Sequence, residues 1–162
     1  MYEKEVKEKT SQILPKVVGW RRHFHEYPEV SGEEKETSLY IQQVLTELGI
    51  PFETGFFGTA VLGTIKGDLP GKTVALRADM DALPVTELTG LPFASKNKGV
   101  MHACGHDGHM AMVLDLAVWL DQQTALPHNV LLLFQPAEET TGGAGKLCES
   151  GVLERYRVRR IF

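Results

Sequence analysis

The chain has 162 residues, the size of one ordinary domain of roughly 100–200 residues. Seventeen Lys and Arg against 21 Asp and Glu give a formal net charge of −4. With Arg155, Arg157, Arg159 and Arg160 as the single basic cluster, this balance excludes a nucleic-acid binder, which needs grouped cations for phosphates. An apolar share of 43% excludes a disordered chain, and no apolar run approaches the ~20 residues that cross a bilayer. The charged start, Met1 to Lys9, has no signal-peptide core, so a soluble cytoplasmic protein is expected, without nucleic-acid or membrane partners.

Ile13, Leu14, Val17, Val18 and Phe24 recur at helical spacing, with Pro15 expected to set the start of the regular helix and Pro28 its end. Arg21-Arg22-His23-Phe24-His25 reads as a solvated face plus one buried Phe, which makes His23 and His25 weak ligand candidates. Ser31-Gly32-Glu33-Glu34 has the form of a capping box, and the helix it opens carries Thr37, Ile41, Val44, Leu45 and Leu48 on one stripe before Gly49. Phe52 to Thr54 and Ala60 to Ile65 read as strands separated by Gly55 and Gly58, and residues 67–71 as a turn. Thr73 to Leu76 is a buried strand that runs into Arg77-Ala78-Asp79-Met80-Asp81.

The segment from Leu83 to Val100, broken by Pro84, Gly90, Pro92 and Gly99, is mostly loop. Asp107 to Leu120 is helical and apolar nearly all round, so that helix is expected to be buried, with Asp107 as its cap. Val130 to Phe134 is a second buried strand and runs into Gln135-Pro136-Ala137-Glu138-Glu139. A Gly-rich turn over residues 142–145 leads to a short helix ending near Ser150-Gly151, and Val158 to Phe162 begins another strand. Buried strands alternating with helices give an α/β sheet with helices on both faces.

Two buried strands thus end in acid pairs, Asp79 with Asp81 and Glu138 with Glu139. Ligands of open α/β sheets bind beyond the carboxyl ends of the strands. Two acid pairs placed there repel one another unless a cation or protons intervene. Between them, Met101-His102-Ala103-Cys104-Gly105-His106-Asp107-Gly108-His109 holds three of the six His and one of the two Cys. Thiolate, imidazole and carboxylate together suit Zn²⁺, with Mn²⁺ or Co²⁺ as alternatives. A structural zinc site, a catalytic Cys–His pair and plain helix capping are the competing readings. Cys148 reads as a small buried apolar residue. Gly145-Lys146 is no phosphate loop, because Thr140 stands where that motif needs its first Gly and Leu147 where it needs Ser or Thr. The chemistry that follows is metal-assisted hydrolysis, in which one adjacent glutamate holds metal and the other takes a proton from water.

Arg22-His23-x-His25-x-x-Pro28-Glu29, Arg77 through Pro84, His102 through His109 and Gln135-Pro136-Ala137-Glu138-Glu139 stand in order at family separations. The chain resembles the amidohydrolase branch of the aminoacylase and carboxypeptidase-G type metallopeptidases. That branch includes hippurate hydrolases, N-acetyldiaminopimelate deacetylases and hydrolases of indole-acetyl amino acids.

The resemblance implies a three-layer αβα zinc-peptidase-like catalytic domain, of which residues 1–162 form the N-terminal part only. It implies metal ligands Cys104, His106 and Glu139, with Glu138 as general base and Asp81 as the acid that orients the metal site. Asp79 stands where the wider family has a ligand His. The parent enzyme would use two divalent ions (Zn, Mn or Co) to cleave the amide of small N-acyl amino acids, and would be a homo-oligomer. In that family Ile-Phe is followed by Gly-Leu-His, whose His is a further ligand. This chain has Arg159-Arg160 before Ile161-Phe162, and the family's lid and dimerisation domain and the C-terminal part of the catalytic domain are absent. The chain alone is therefore expected to be inactive and prone to self-association. The alternatives are a non-catalytic metal-binding or interaction module and a truncated gene product.

Overall fold

The computed structural model describes residues 2–68 and 71–162. Helix α1 spans Tyr2–Glu26 and α2 spans Lys35–Glu47. Strands β1 (Phe52–Thr54), β2 (Val61–Ile65) and β3 (Thr73–Asp79) precede helix α3 (His106–Asp121). Strand β4 (Asn129–Gln135), three short helices α4 (Glu138–Thr141), α5 (Gly143–Glu149) and α6 (Val152–Arg155), and strand β5 (Val158–Ile161) complete the chain.

The five strands form one mixed sheet in the order β1-β2-β4-β3-β5. Strand β2 is antiparallel to both neighbours, whereas β3, β4 and β5 run parallel. The alternation along β4 sorts its side chains into two cores. Val130, Leu132 and Phe134 join Trp20, Phe24, Ile41, Leu45 and Leu114 under α1, α2 and α3. Leu131 and Leu133 join Leu147 and Val152 under α5 and α6. Helices thus cover both faces, as the α/β pattern requires, and no helix among the described residues is long and apolar enough to cross a membrane.

Several local expectations are corrected. Helix α1 runs through Pro15 instead of starting there. Ile13 and Val17 pack against the core on either side of it, and Trp20 and Phe24 are buried, so packing outweighs the backbone bond that Pro15 removes. The Ser31–Glu34 capping box does not form, because both side chains are committed to tertiary contacts. Glu29 takes over, its carboxylate accepting the backbone N–H groups of Glu36 and Thr37 at 3.2 and 2.8 Å. Gly49 follows α2 with φ 72°, the left-handed turn expected of it. Residues 143–145 belong to α5 and not to a turn, and a Cβ on Gly143 would lie 2.0 Å from the Pro136 carbonyl oxygen. Helix α3 is not buried all round: Met112 is 61% and Leu116 38% exposed. Cys148 is exposed. Within the predicted turn at 67–71, Leu69 and Pro70 lie outside the described residues.

Candidate metal centre

The register of β3 against β4 pairs Asp79 with Gln135, so two adjacent parallel strands end side by side. Each then delivers its acids to the same edge. Met80 donates its N–H to the Gln135 carbonyl at 2.9 Å and carries the join one residue further. Beyond β4, Ala137 takes φ 58°, a left-handed conformation that turns the chain sharply into Glu138 and Glu139. Glu34, fully buried, accepts the Ala137 N–H at 2.8 Å and the Thr59 hydroxyl at 3.1 Å, which holds that turn in place.

The segment from Leu83 to Met101 leaves and returns at one point, because Leu83 and Met101 exchange two backbone hydrogen bonds at 3.1 and 3.0 Å. Cys104 and His106 follow directly, with Gly105 between them at φ 89° just before α3. The structure thereby gathers Cys104, His106 and Glu139, whose donor atoms all lie within 4.8 Å of one another. Glu139 Oε1 is 3.9 Å from His106 Nε2. His106 Nδ1 is 2.8 Å from the Asp81 carbonyl oxygen and donates to it, which leaves Nε2 free to coordinate.

These residues fit a cation. The set supplies one sulfur, one nitrogen and one oxygen, and donors around a tetrahedral zinc sit about 3.5 Å apart, so a small closure of the side chains suffices. Burial opposes charge on His106, yet its hydrogen bonds with Asp81 and Cys104 outweigh this and raise its proton affinity above the ordinary histidine value. The pocket thus favours positive charge at the point where the three donors meet.

Asp81 lies beneath the triad and is not one of the three clustered donors. It is fully buried. Its Oδ2 accepts the Ser31 hydroxyl at 2.5 Å and the Glu139 N–H at 2.9 Å. Burial pushes its carboxyl up, but His106, Ser31 and the backbone N–H groups of Glu139 and Glu138 hold it well below the usual carboxylate range. Glu138 is exposed at the start of α4, beside Glu139. Asp79 is not drawn into the triad: Arg77 donates to its Oδ1 at 2.6 Å, although burial still raises its carboxyl. His109 is exposed, and His102 is buried with neither ring nitrogen partnered among the described residues. Burial pushes the His102 imidazole down to about 4.

The reading of residues 21–25 as a solvated face fails at His25, which is 3% exposed and bonded to Asp107 and Glu87. Asp107 does not cap α3; it turns back toward α1, where Arg21 Nε lies 2.7 Å from its Oδ2. The sequence signal for this network was the spacing Arg21…His25, four residues apart on one helix face.

The profile of peptidase family M20/M25/M40 matches residues 75–162, and the chain belongs to that family. N-acetyl-L-cysteine deacetylase of Bacillus subtilis is 49% identical over 145 residues, covering 89% of this chain and 35% of the relative. N-acyl-L-amino acid amidohydrolase of Geobacillus stearothermophilus is 41% identical over 156 residues, 95% of this chain and 42% of that protein. The crystal structure of a dinuclear metal binding peptidase of family M20 from Bacillus subtilis superposes with a TM-score of 0.89 at 44% identity. That match covers 94% of this chain and 43% of the other. The chain thus spans about two fifths of the length of the relatives it matches.

Proposed function

We propose that this chain is the N-terminal part of the catalytic domain of a metal-dependent amidohydrolase that cleaves the amide bond of N-acyl amino acids. The observation that carries the reading is the meeting of Cys104, His106 and Glu139 beside a second glutamate, Glu138. A divalent cation held by the three donors would polarise the scissile carbonyl and acidify a water. Glu138 is free of the donor set and exposed, so it would serve as the base that takes a proton from water and passes it to the leaving amine. Asp81 fixes Glu139 through the backbone N–H it accepts, and fixes His106 through its own carbonyl.

The cation would be zinc, with cobalt or manganese as alternatives, by a set of one soft thiolate, one borderline imidazole and one hard carboxylate. In the longer protein a second ion and a homo-oligomeric assembly belong to the same reading. One observation favours a narrower role for the chain as it stands. Three donors form the single such group found among the described residues, which suits one cation here and leaves the second ion without a donor set of its own among them.

The test joins metal analysis to an assay on N-acetyl and N-benzoyl amino acids with added Zn²⁺ or Mn²⁺. One cation per chain, lost in Cys104→Ser, with negligible hydrolysis is the expected result. Robust turnover abolished by Glu138→Ala would show that the chain works alone. Turnover indifferent to that substitution would remove Glu138 from its role, and a chain that binds no cation would remove the metal reading.

A further inference from the structure

A second buried cluster of ionisable groups links α1 to the side of the candidate metal centre that carries Cys104 and His106. His25 Nδ1 lies 2.7 Å from Asp107 Oδ2, and its Nε2 lies 3.2 Å from Glu87 Oε1. Both ring nitrogens face carboxylate oxygens, so the ring is held between two carboxylates of different segments. The side chains of Asp107 and Glu87 are 2% and 3% exposed, so both carboxylates rely mainly on protein donors.

One acceptor adjoins a donor of the triad, and the other lies in the loop that leads to Cys104 and His106. Asp107 is the neighbour of His106 in the first turn of α3. That helix starts at Gly105 without a side-chain cap, so the bonds from Asp107 to His25 and Arg21 anchor its first turn. Glu87 sits in the loop that returns through Met101 to Cys104. Its carboxylate also accepts the Ser95 N–H at 2.6 Å, which folds the loop onto the same point.

We propose that His25 is a positioning residue of the metal centre: through Asp107 it fixes the first turn of α3 and so sets where His106 stands relative to Cys104 and Glu139. The proposal rests on the metal reading of that triad. The Asp107 arm carries the effect, because it acts one residue away from the donor. The Glu87 arm holds the more distant loop.

Cobalt titration of the metal-free chain tests this, read by the thiolate-to-cobalt charge-transfer band and the ligand-field bands. The amide nitrogen of Asn overlies the Nδ1 position of histidine, and that of Gln overlies Nε2. His25→Asn therefore keeps the donor to Asp107, and His25→Gln keeps only the donor to Glu87. Expected are cobalt affinity within about threefold of wild type for His25→Asn and a loss of about tenfold or more for His25→Gln, with shifted ligand-field bands. Circular dichroism and melting temperature are followed for each variant. If His25→Gln does not fold, Asp107→Asn reaches the same arm with its shape kept, and the same loss is expected.

Unchanged cobalt affinity and spectrum in the folded variant of the Asp107 arm would overturn the proposal. So would equal losses in His25→Asn and His25→Gln that merely follow their melting temperatures. A wild-type chain without a charge-transfer band would overturn the metal reading itself, and this inference with it. A wild-type band with indifferent variants would overturn the inference alone.

Discussion

Replacing Asp81 by Asn isolates the charge at the centre of the site. The Asn oxygen, placed where Oδ2 stands, keeps the hydrogen bonds from Ser31 and Glu139 but receives them as a neutral acceptor. A bond to a charged group contributes about 1.5–3 kcal/mol and a neutral one about 0.5–1.5, so two weakened bonds cost about 2 kcal/mol. The amide nitrogen then replaces Oδ1, which faces His106 Nδ1 at 3.5 Å and has no hydrogen-bond partner among the described residues. An unpaired buried donor adds about 1–3 kcal/mol, for a total of about 4 kcal/mol. At about 2–4 °C per kcal/mol, the melting temperature should fall by about 8–16 °C.

Urea unfolding of the metal-free chain, followed by circular dichroism, measures this directly, and the urea dependence should keep its slope. The pH dependence has a fixed sign. The Asp81 pKa is lowered on folding, so its contribution is complete above the ordinary aspartate value of about 3.9 and is lost as pH falls through the folded value. The gap between wild type and Asp81→Asn therefore narrows in acid. A Ser31→Ala, Asp81→Asn cycle should be less than additive by about 1 kcal/mol, because the two side chains share one bond. A loss below about 1 kcal/mol, or strict additivity, would refute the reasoning.

Gly143→Ala should destabilise the chain by several kcal/mol or prevent its folding, because the new Cβ meets the Pro136 and Ala137 carbonyl oxygens at 2.0 and 3.0 Å; Gly145→Ala, which meets nothing within 4 Å, is the control for the same unfolding measurement. Glu29→Ala removes the acceptor of two N–H groups in the first turn of α2 and should cost about 1 kcal/mol by thermal unfolding, with Glu29→Gln recovering part of it. Zinc at a hundredfold excess over its dissociation constant should raise stability by about 2.7 kcal/mol, and Cys104→Ser should abolish most of that gain. The zinc-dependent gain should shrink as pH falls from neutrality, because thiol and imidazole must release protons to bind, and calorimetry at several pH values checks it.

The parts of this fold that were legible in the sequence are those with a short period and a local cause. The apolar run of β4 and the stripe Thr37, Ile41, Val44 and Leu45 of α2 announce themselves by periodicity, and Gly49 by its left-handed turn. The density of Cys and His over residues 101–109 pointed to metal chemistry, whereas the choice of Cys104, His106 and Glu139 came from the family resemblance. The failures around the site share one cause: side chains with a good local role were used at long range. Ser31 and Glu34 match a capping box, yet Ser31 bonds Asp81 and Glu34 bonds Ala137, 103 residues away. Asp107 matches a helix cap, yet it pairs with His25, 82 residues earlier. A local motif records what a residue could do nearby, and only the fold decides whether a distant partner offers more. Helix α3 shows the converse limit. Its composition suggests burial all round, but composition does not say which face stays open, and Met112 and Leu116 are exposed.

The long-range uses converge on a single requirement. Ser31, Glu34 and Asp107 each brace one of the segments that carry the acids and the triad, and each binds a backbone turn or a buried charge. The parallel pairing of β3 and β4 brings Asp79, Asp81, Glu138 and Glu139 to one edge, a concentration of negative charge whose members repel one another and of which Asp81 is fully buried. Arg77 answers Asp79, and the donors around Asp81 answer Asp81. No cationic side chain is paired with Glu138, and Glu139 has only the imidazole of His106 nearby among the described residues. The hydrogen bonds of His106 with Asp81 and Cys104 raise its proton affinity, which acts in the direction of that demand. A divalent ion at the same point would supply a larger charge than a proton and take the thiolate of Cys104 as well. The same fold feature that makes the site unfavourable without a cation therefore makes it selective for one that accepts sulfur, nitrogen and oxygen together.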